Sequence, residues 1–158
     1  MNERQPSAKA QFSALLSRFS PEIVAFAKRC MPKLRRAIPR SNELVYEYNH
    51  SVVVGYGLSE HGHEAIAALA IYPQWIRLYF HGGKFLPDPE SRLQGAAGVR
   101  YVTLEAVKDI DDPYIKALFK AAIGRSGVKV PRTGSGRMII KSVAKKKAKK
   151  KPKKKSSR

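Results

Sequence analysis

The order of the residue patterns along the chain predicts an α+β fold, with helices packed on one face of an antiparallel sheet of about five strands. Three observations support this prediction. Apolar residues recur at helical spacing before residue 40, apolar and polar residues alternate between 44 and 104, and helical spacing returns from 112. The connectors between the first four strands are short, whereas parallel neighbours need a crossover of a dozen or more residues, so these strands are predicted to be antiparallel.

Two helices are predicted before the sheet, after a flexible N-terminus at residues 1–11. Apolar residues recur at i, i+3, i+4 and i+7 from Phe12, which predicts a short amphipathic helix. The tripeptide Ser20-Pro21-Glu22 then places a capping serine, a proline and an acid where a helix begins. Pro32 lies inside this second helix and is expected to kink or divide it near Met31.

Alternation with a period of two predicts the strands of the sheet. The segments are rich in β-branched and aromatic residues and are separated by turn-forming residues. They span residues 44–48, 51–58, 65–72, 75–81 and 99–104.

The last helix is expected to begin at Asp112-Pro113, another capping residue followed by proline, and to end with Gly124 as its C′ residue. Beyond it the apolar pattern stops. The predicted organisation is therefore one domain at 12–124, a linker at 125–140 and a disordered, lysine-rich tail at 141–158.

Charge is divided unequally between the domain and the C-terminal segment. The chain has 31 Lys and Arg, 12 Asp and Glu, and a net charge of +19, but residues 125–158 hold fifteen basic and no acidic residues. Clustered lysines bind phosphate polymers through counterion release without reading sequence. The predicted partner is nucleic acid or another polyanion; the alternatives are an anionic membrane surface and a tail that only increases solubility. The residues expected to make these contacts are Lys145, Lys146, Lys147, Lys149, Lys150, Lys151, Lys153, Lys154 and Lys155.

The same composition indicates a cytoplasmic protein, nucleoid-associated if the tail binds DNA. Cys30 is the only cysteine, which excludes an intrachain disulfide. Residues 1–11 lack the apolar core of a secretory signal, and the longest uncharged apolar stretch, 65–72, is far shorter than the roughly 20 residues that span a bilayer. No cofactor is predicted.

One face of the fourth predicted strand is a candidate ligand face. Trp75, Arg77, Tyr79 and His81 share this face by the period of two. Aromatic rings beside a guanidinium are typical of surfaces that stack single-stranded nucleic acid or a small aromatic ligand. The alternative is cross-strand packing, either under a helix or at a homodimer interface formed by the sheet face.

A weaker candidate is a metal site at His61 and His63, which Glu60 and Glu64 flank. Imidazole and carboxylate groups are metal ligands, but two ligands on one turn do not complete a site. The alternative is a solvated turn. Because no residue pattern supplies an activated nucleophile, a base or an oxyanion hole, we expect no catalytic residues and no enzyme activity.

Several short motifs lie in a characteristic order along the chain, at 37–39, 72–73, 81–89, 93–95, 100–104 and 109–113. Taken together, they resemble the YdhG-like family of small bacterial proteins, a domain of unknown function (number 1801). The resemblance covers roughly residues 20–124 and implies a compact α+β domain without established catalytic residues. Some members of the family have been proposed as frataxin-like iron chaperones, so the alternative function is small-ligand or metal binding with an incidental tail.

Overall fold

The computed structural model describes residues 6–95 and 98–144. Three α-helices and six strands form in this part of the chain, together with short 3₁₀ turns. The helices are α1 (Ala8–Leu16), α2 (Pro21–Ala37) and α3 (Pro113–Ser126). The strands are β1 (Asn42–Glu47), β2 (Val52–Gly57), β3 (Ala67–Ile71), β4 (Ile76–His81), β5 (Val99–Leu104) and β6 (Met138–Ser142).

The strands form one mixed sheet in the order β5-β4-β3-β2-β1-β6. The five predicted strands are antiparallel to their neighbours, as expected, but β6 adds a sixth strand that is parallel to β1. The prediction of a linker to residue 140 and a tail from residue 141 therefore differs from the structure at 138–142. Met138 and Ile140 pack against the core, and the Glu43 amide donates to the Arg137 carbonyl at 2.9 Å, so contacts distant in sequence order this segment.

The helices lie on one face of the sheet, as predicted, and bury a single apolar core with it. In β4 the alternation of burial is complete: Ile76, Leu78 and Phe80 are fully buried, while the intervening residues are half-buried. Phe80 meets Phe119 of α3 edge-to-face, with ring centroids 5.3 Å apart. The intervening residues therefore lie on the face of the sheet away from the helices.

The helix ends follow local chemistry in most places. The Ser20 and Asp112 side chains accept hydrogen bonds from the amides of Ile23 and Tyr114, which confirms both predicted N-caps. The N-terminal prediction is wrong at Ala8 and the three residues after it, because α1 already begins there and the Ser7 side chain caps it.

Pro32 does not divide α2, which continues through it to Ala37, and the kink expected as the other outcome stays a prediction. The predicted end of α3 is wrong. Gly124 does not end α3; the helix continues to Ser126 and ends at Gly127, whose φ of 72° is the left-handed conformation that glycine adopts readily. Both glycines suit a helix end by residue type, so type alone did not distinguish them.

Candidate functional site

The helix-free face of the sheet carries a cluster of aromatic rings around Arg77. Antiparallel register sets Tyr79 opposite Tyr101 of β5, and sets Arg77 opposite Thr103. On the other side of β4 the opposing residues of β3 are Ala68 and Ala70. Both of these short side chains are buried.

Arg77 is held by rings rather than by carboxylates. Its guanidinium carbon lies 4.4 Å from the ring centroid of Tyr101, 4.9 Å from that of Trp75 and 5.6 Å from that of Tyr72. No carboxylate among the described residues pairs with it, and its buried Nε has no hydrogen-bond acceptor there. Cation–π attraction of about 0.5–1 kcal/mol favours the charged guanidinium, and its Nε donor has no partner among the described residues.

Contacts among the tyrosines make the cluster a fixed platform. The Tyr72 and Tyr79 hydroxyls are 3.1 Å apart and share a hydrogen bond, and Tyr79 meets Tyr101 with ring centroids 5.0 Å apart. Burial, together with the hydrogen bond that it shares with Tyr79, raises the pKa of Tyr72 to about 12. The Tyr72 hydroxyl is therefore neutral at pH 7. We call Tyr72, Trp75, Arg77, Tyr79 and Tyr101 the aromatic-arginine cluster.

The cluster is suited to binding and not to bond cleavage. Trp75 is 42% exposed, so part of one large ring is accessible to a ligand. A guanidinium without a carboxylate partner offers paired donors to a phosphate or a carboxylate. The hydroxyls of Tyr72 and Tyr79 bond to each other, and burial raises the pKa of Tyr72, which disfavours a phenolate nucleophile.

His81 follows Tyr79 on the same side of β4 but belongs to a different site. It lines a cavity of about 300 Å³ with His63, Glu64 and Arg125, and none of the aromatic-arginine cluster lines that cavity. Burial lowers the pKa of the His81 imidazole, so the ring favours its neutral form. Of the four residues predicted to form a ligand face, the structure thus brings three together and separates His81.

The His61 and His63 rings lie side by side on a turn, with centroids 5.6 Å apart. The His63 side chain is 79% exposed, and its Nε2 lies 3.7 Å from the Glu64 carboxylate. The Ser59 hydroxyl donates to that carboxylate and is the main cause of its lowered pKa. Within residues 6–95 and 98–144, no group of three or more His, Cys, Asp or Glu side chains is arranged to hold a metal ion.

The nine tail lysines lie outside the described residues, but the chain leading to them is defined. The amide of Ala144 donates to the Glu47 carboxylate at 2.9 Å. Just before it, Ser142 lies opposite Tyr46, in a cross-sheet row that continues through Val53 and Ala70 to Arg77. Four inter-strand spacings separate Ser142 from Arg77, which is about 19 Å at roughly 4.8 Å per spacing. The tail therefore starts at the β6 edge of the sheet, about 19 Å across the strands from Arg77.

Sequence reasoning missed Tyr72 and Tyr101 as members of the cluster. A signal for Tyr72 exists, because Pro73-Gln74 predicts a tight turn that brings Tyr72 next to Trp75, and the Tyr72 amide donates to the Trp75 carbonyl at 3.0 Å. Tyr101 has no comparable local signal. Its position depends on the register between β4 and β5, which are separated by a long connection.

The chain matches no protein-family model, no curated protein and no solved structure. The resemblance to the YdhG-like family therefore stays a prediction. None of the helices in the described residues has the length and apolar character needed to cross a membrane.

Proposed function

We propose that this chain is a non-enzymatic, YdhG-like domain protein that binds single-stranded nucleic acid through the aromatic-arginine cluster and the lysine-rich tail. The observation that carries the proposal is Arg77, a guanidinium surrounded by three rings with no carboxylate partner among the described residues.

The chemistry of the cluster matches a single strand better than a duplex. Unpaired bases stack on aromatic rings, which contributes about 1–3 kcal/mol per base, and the phosphate between two bases accepts hydrogen bonds from arginine. Trp75 supplies an exposed ring, and Arg77 lies 4.9 Å from it. A base on Trp75 would therefore place its neighbouring phosphate within reach of the guanidinium.

The tail adds positive charge within reach of the cluster, although it starts at the opposite edge of the sheet. Fourteen residues follow Ala144, and nine of them are the lysines at 145–155. A chain of this length reaches at most about 46 Å, which exceeds the roughly 19 Å between the start of the tail and Arg77. A strand stacked on the cluster would thus lie within reach of the lysines, which contribute affinity that falls steeply with salt.

The test uses the full-length chain and a labelled single-stranded oligonucleotide of mixed sequence. Trp75 is the only tryptophan, so base stacking on it should quench the intrinsic fluorescence directly. We expect Arg77→Gln to weaken binding about 5- to 20-fold, a change of about 1–2 kcal/mol. Arg125→Gln is the matched control, because Arg125 also lies over a ring, that of Phe85 at 3.9 Å, but away from the cluster; it should change affinity less than about twofold.

A second variant replaces all nine tail lysines by glutamine and keeps the length of the chain. We expect weaker binding and a shallower dependence of affinity on salt, with the Trp75 quench retained at saturation. Unchanged affinity of Arg77→Gln, together with no quench in the wild type, would remove the cluster from the proposal. An unchanged salt dependence of the lysine variant would remove the tail.

An alternative, small-ligand or metal binding, is favoured by the cavity that His63, Glu64 and His81 line. Titration of zinc and ferrous iron into the full-length chain tests it, with His63→Ala and His81→Ala as variants. Stoichiometric binding that both substitutions abolish would support this function. Sedimentation of the wild type and Trp75→Ala tests a homodimer through the sheet face, since loss of the exposed ring would weaken such an interface.

A further inference from the structure

A cleft of about 1,040 Å³ lies at the start of β6, away from the aromatic-arginine cluster. Its walls are the N-terminus of α1, the turn between α2 and β1, and the loop 134–137 that leads into β6. None of these elements contributes to the cluster. The cleft therefore needs an explanation of its own.

Positive charge dominates the lining of the cleft. Five of the fourteen lining residues are basic, Lys9, Arg35, Arg36, Arg40 and Arg137, against a single carboxylate, that of Glu43.

That carboxylate is already committed within the protein. Glu43 accepts hydrogen bonds from Arg35 Nε at 2.8 Å and from the Tyr56 hydroxyl at 2.7 Å. Arg137 pairs with Glu60. For Lys9, Arg36 and Arg40, no carboxylate of the described residues lies within ion-pair distance. Three cations thus face the cleft without partners there.

The backbone around the cleft is constrained at two positions, Arg40 and Gly136. Arg40 has φ of 61°, a left-handed conformation that costs free energy for any residue with a Cβ other than asparagine or aspartate. A Cβ at Gly136 would lie 1.7 Å from the Ser41 carbonyl oxygen, so only glycine fits there. Ser41 is 7% exposed and lines the cleft, and its buried Oγ has no hydrogen-bond partner among the described residues.

The N-terminus of α1 adds amide donors to the same cleft. Ser7 and Ala8 line it, and the first turn of α1 has no acidic residue to satisfy its free N–H groups. The Ser7 side chain accepts one of them, from the amide of Ala10 at 3.0 Å. The remaining amides and the positive end of the helix dipole favour an anion.

We infer that this cleft binds a chain of two or more linked phosphate groups. Arginine side chains bind phosphate oxygens through paired donors, and helix amides and a glycine-containing loop allow close approach of a phosphate. Three unpaired cations spread around a cleft of this volume suit several phosphates better than one. The inference stands apart from the proposed function, because the residues involved are different.

Inorganic tripolyphosphate is the probe, titrated calorimetrically into the full-length chain and into the chain whose nine tail lysines are glutamine. We expect saturable one-to-one binding in both, and binding at least tenfold weaker in the Arg36→Gln/Arg40→Gln double variant of each. The control is Arg29→Gln/Lys108→Gln, which removes two exposed charges outside the cleft and should change affinity less than twofold. Adenosine triphosphate identifies the source: tighter binding than tripolyphosphate indicates a nucleotide, and equal binding indicates the phosphate chain itself.

Arg40→Asn separates ligand binding from folding. Asparagine tolerates the left-handed conformation, so the melting temperature should stay the same or rise while tripolyphosphate affinity falls. Loss of tripolyphosphate binding on removal of the tail lysines, or equal affinity for orthophosphate, would overturn the inference, as would unchanged affinity in the Arg36→Gln/Arg40→Gln variant. These outcomes do not affect the proposed function, because oligonucleotide binding should depend on Arg77 and not on Arg36 or Arg40.

Discussion

Two charged groups on opposite faces of the sheet are stabilised in different ways. On the helix-covered face, Glu43 is 7% exposed and accepts hydrogen bonds from Arg35 and the Tyr56 hydroxyl. On the helix-free face, Arg77 has rings around it and no carboxylate among the described residues. A charge matched within the protein serves the fold, whereas the proposed role of Arg77 is to bind an external anion.

The largest expected difference in the free energy of unfolding is between alanine variants of two adjacent residues of β4. Phe80→Ala should lower the free energy of unfolding by about 3–5 kcal/mol, because it empties a fully buried site against Phe119. Tyr79→Ala should cost only about 1–2 kcal/mol, the loss of one hydroxyl bond and one ring contact. Urea unfolding measures both, and equal losses would show that the two faces are packed alike.

The two charged groups themselves provide the next comparison. Glu43→Ala should cost about 2–3 kcal/mol, since it leaves the buried Tyr56 hydroxyl and Arg35 without their acceptor. Arg77→Gln should cost less than about 1 kcal/mol. Glu90→Ala is the control, because its ion pair with Arg92 is exposed and should contribute less than about 0.5 kcal/mol. If Arg77→Gln proved as destabilising as Glu43→Ala in urea unfolding, a structural role for Arg77 would be indicated.

The hydrogen bond between Tyr72 and Tyr79 predicts a moderate effect that depends on pH. Tyr72→Phe should cost about 1 kcal/mol at pH 7. Since the pKa of Tyr72 is raised to about 12 from an unfolded value near 10, its stabilisation is complete below about pH 10 and is lost as the pH rises towards 12.

The free energy of unfolding, measured at pH 9 and pH 11, tests the direction of this pH dependence. The variant should lose less stability than the wild type between the two values. The loss should not vanish, because burial also raises the pKa of Tyr56 and Tyr114. An identical loss in variant and wild type would contradict the assignment.

His81 predicts the smallest effect, at the opposite end of the pH range. Burial lowers the pKa of its imidazole, so its neutral form contributes stability above the unfolded pKa of about 6.5, and this is lost as the pH falls through the folded value. His81→Gln should therefore reduce the decrease in melting temperature between pH 7 and pH 5, by a few degrees at most. Arg77→Gln should leave that decrease unchanged, because Arg77 does not line the cavity that His81 lines.

Features that depend on neighbouring residues were predictable. The alternation along β4 placed Arg77 and Tyr79 on one face, and Ser20 and Asp112 were recognised as caps because each bonds an amide two or three residues away. The end of α3 was not predictable in this way, because Gly124 and Gly127 are the same type of residue. The helix ends where the backbone reaches the left-handed region, and composition does not encode that point.

By itself, the sequence determined the strand periods, the starts of α2 and α3, the uneven charge and three of the five residues of the aromatic-arginine cluster. Only the tertiary structure decided that Met138–Ser142 pairs with β1, that Tyr101 reaches Arg77 and that His81 faces another cavity. The physical reason is the range of the interactions. Caps and periodicity act within a few residues, whereas strand register and the neighbours of a side chain depend on packing between segments far apart in the chain.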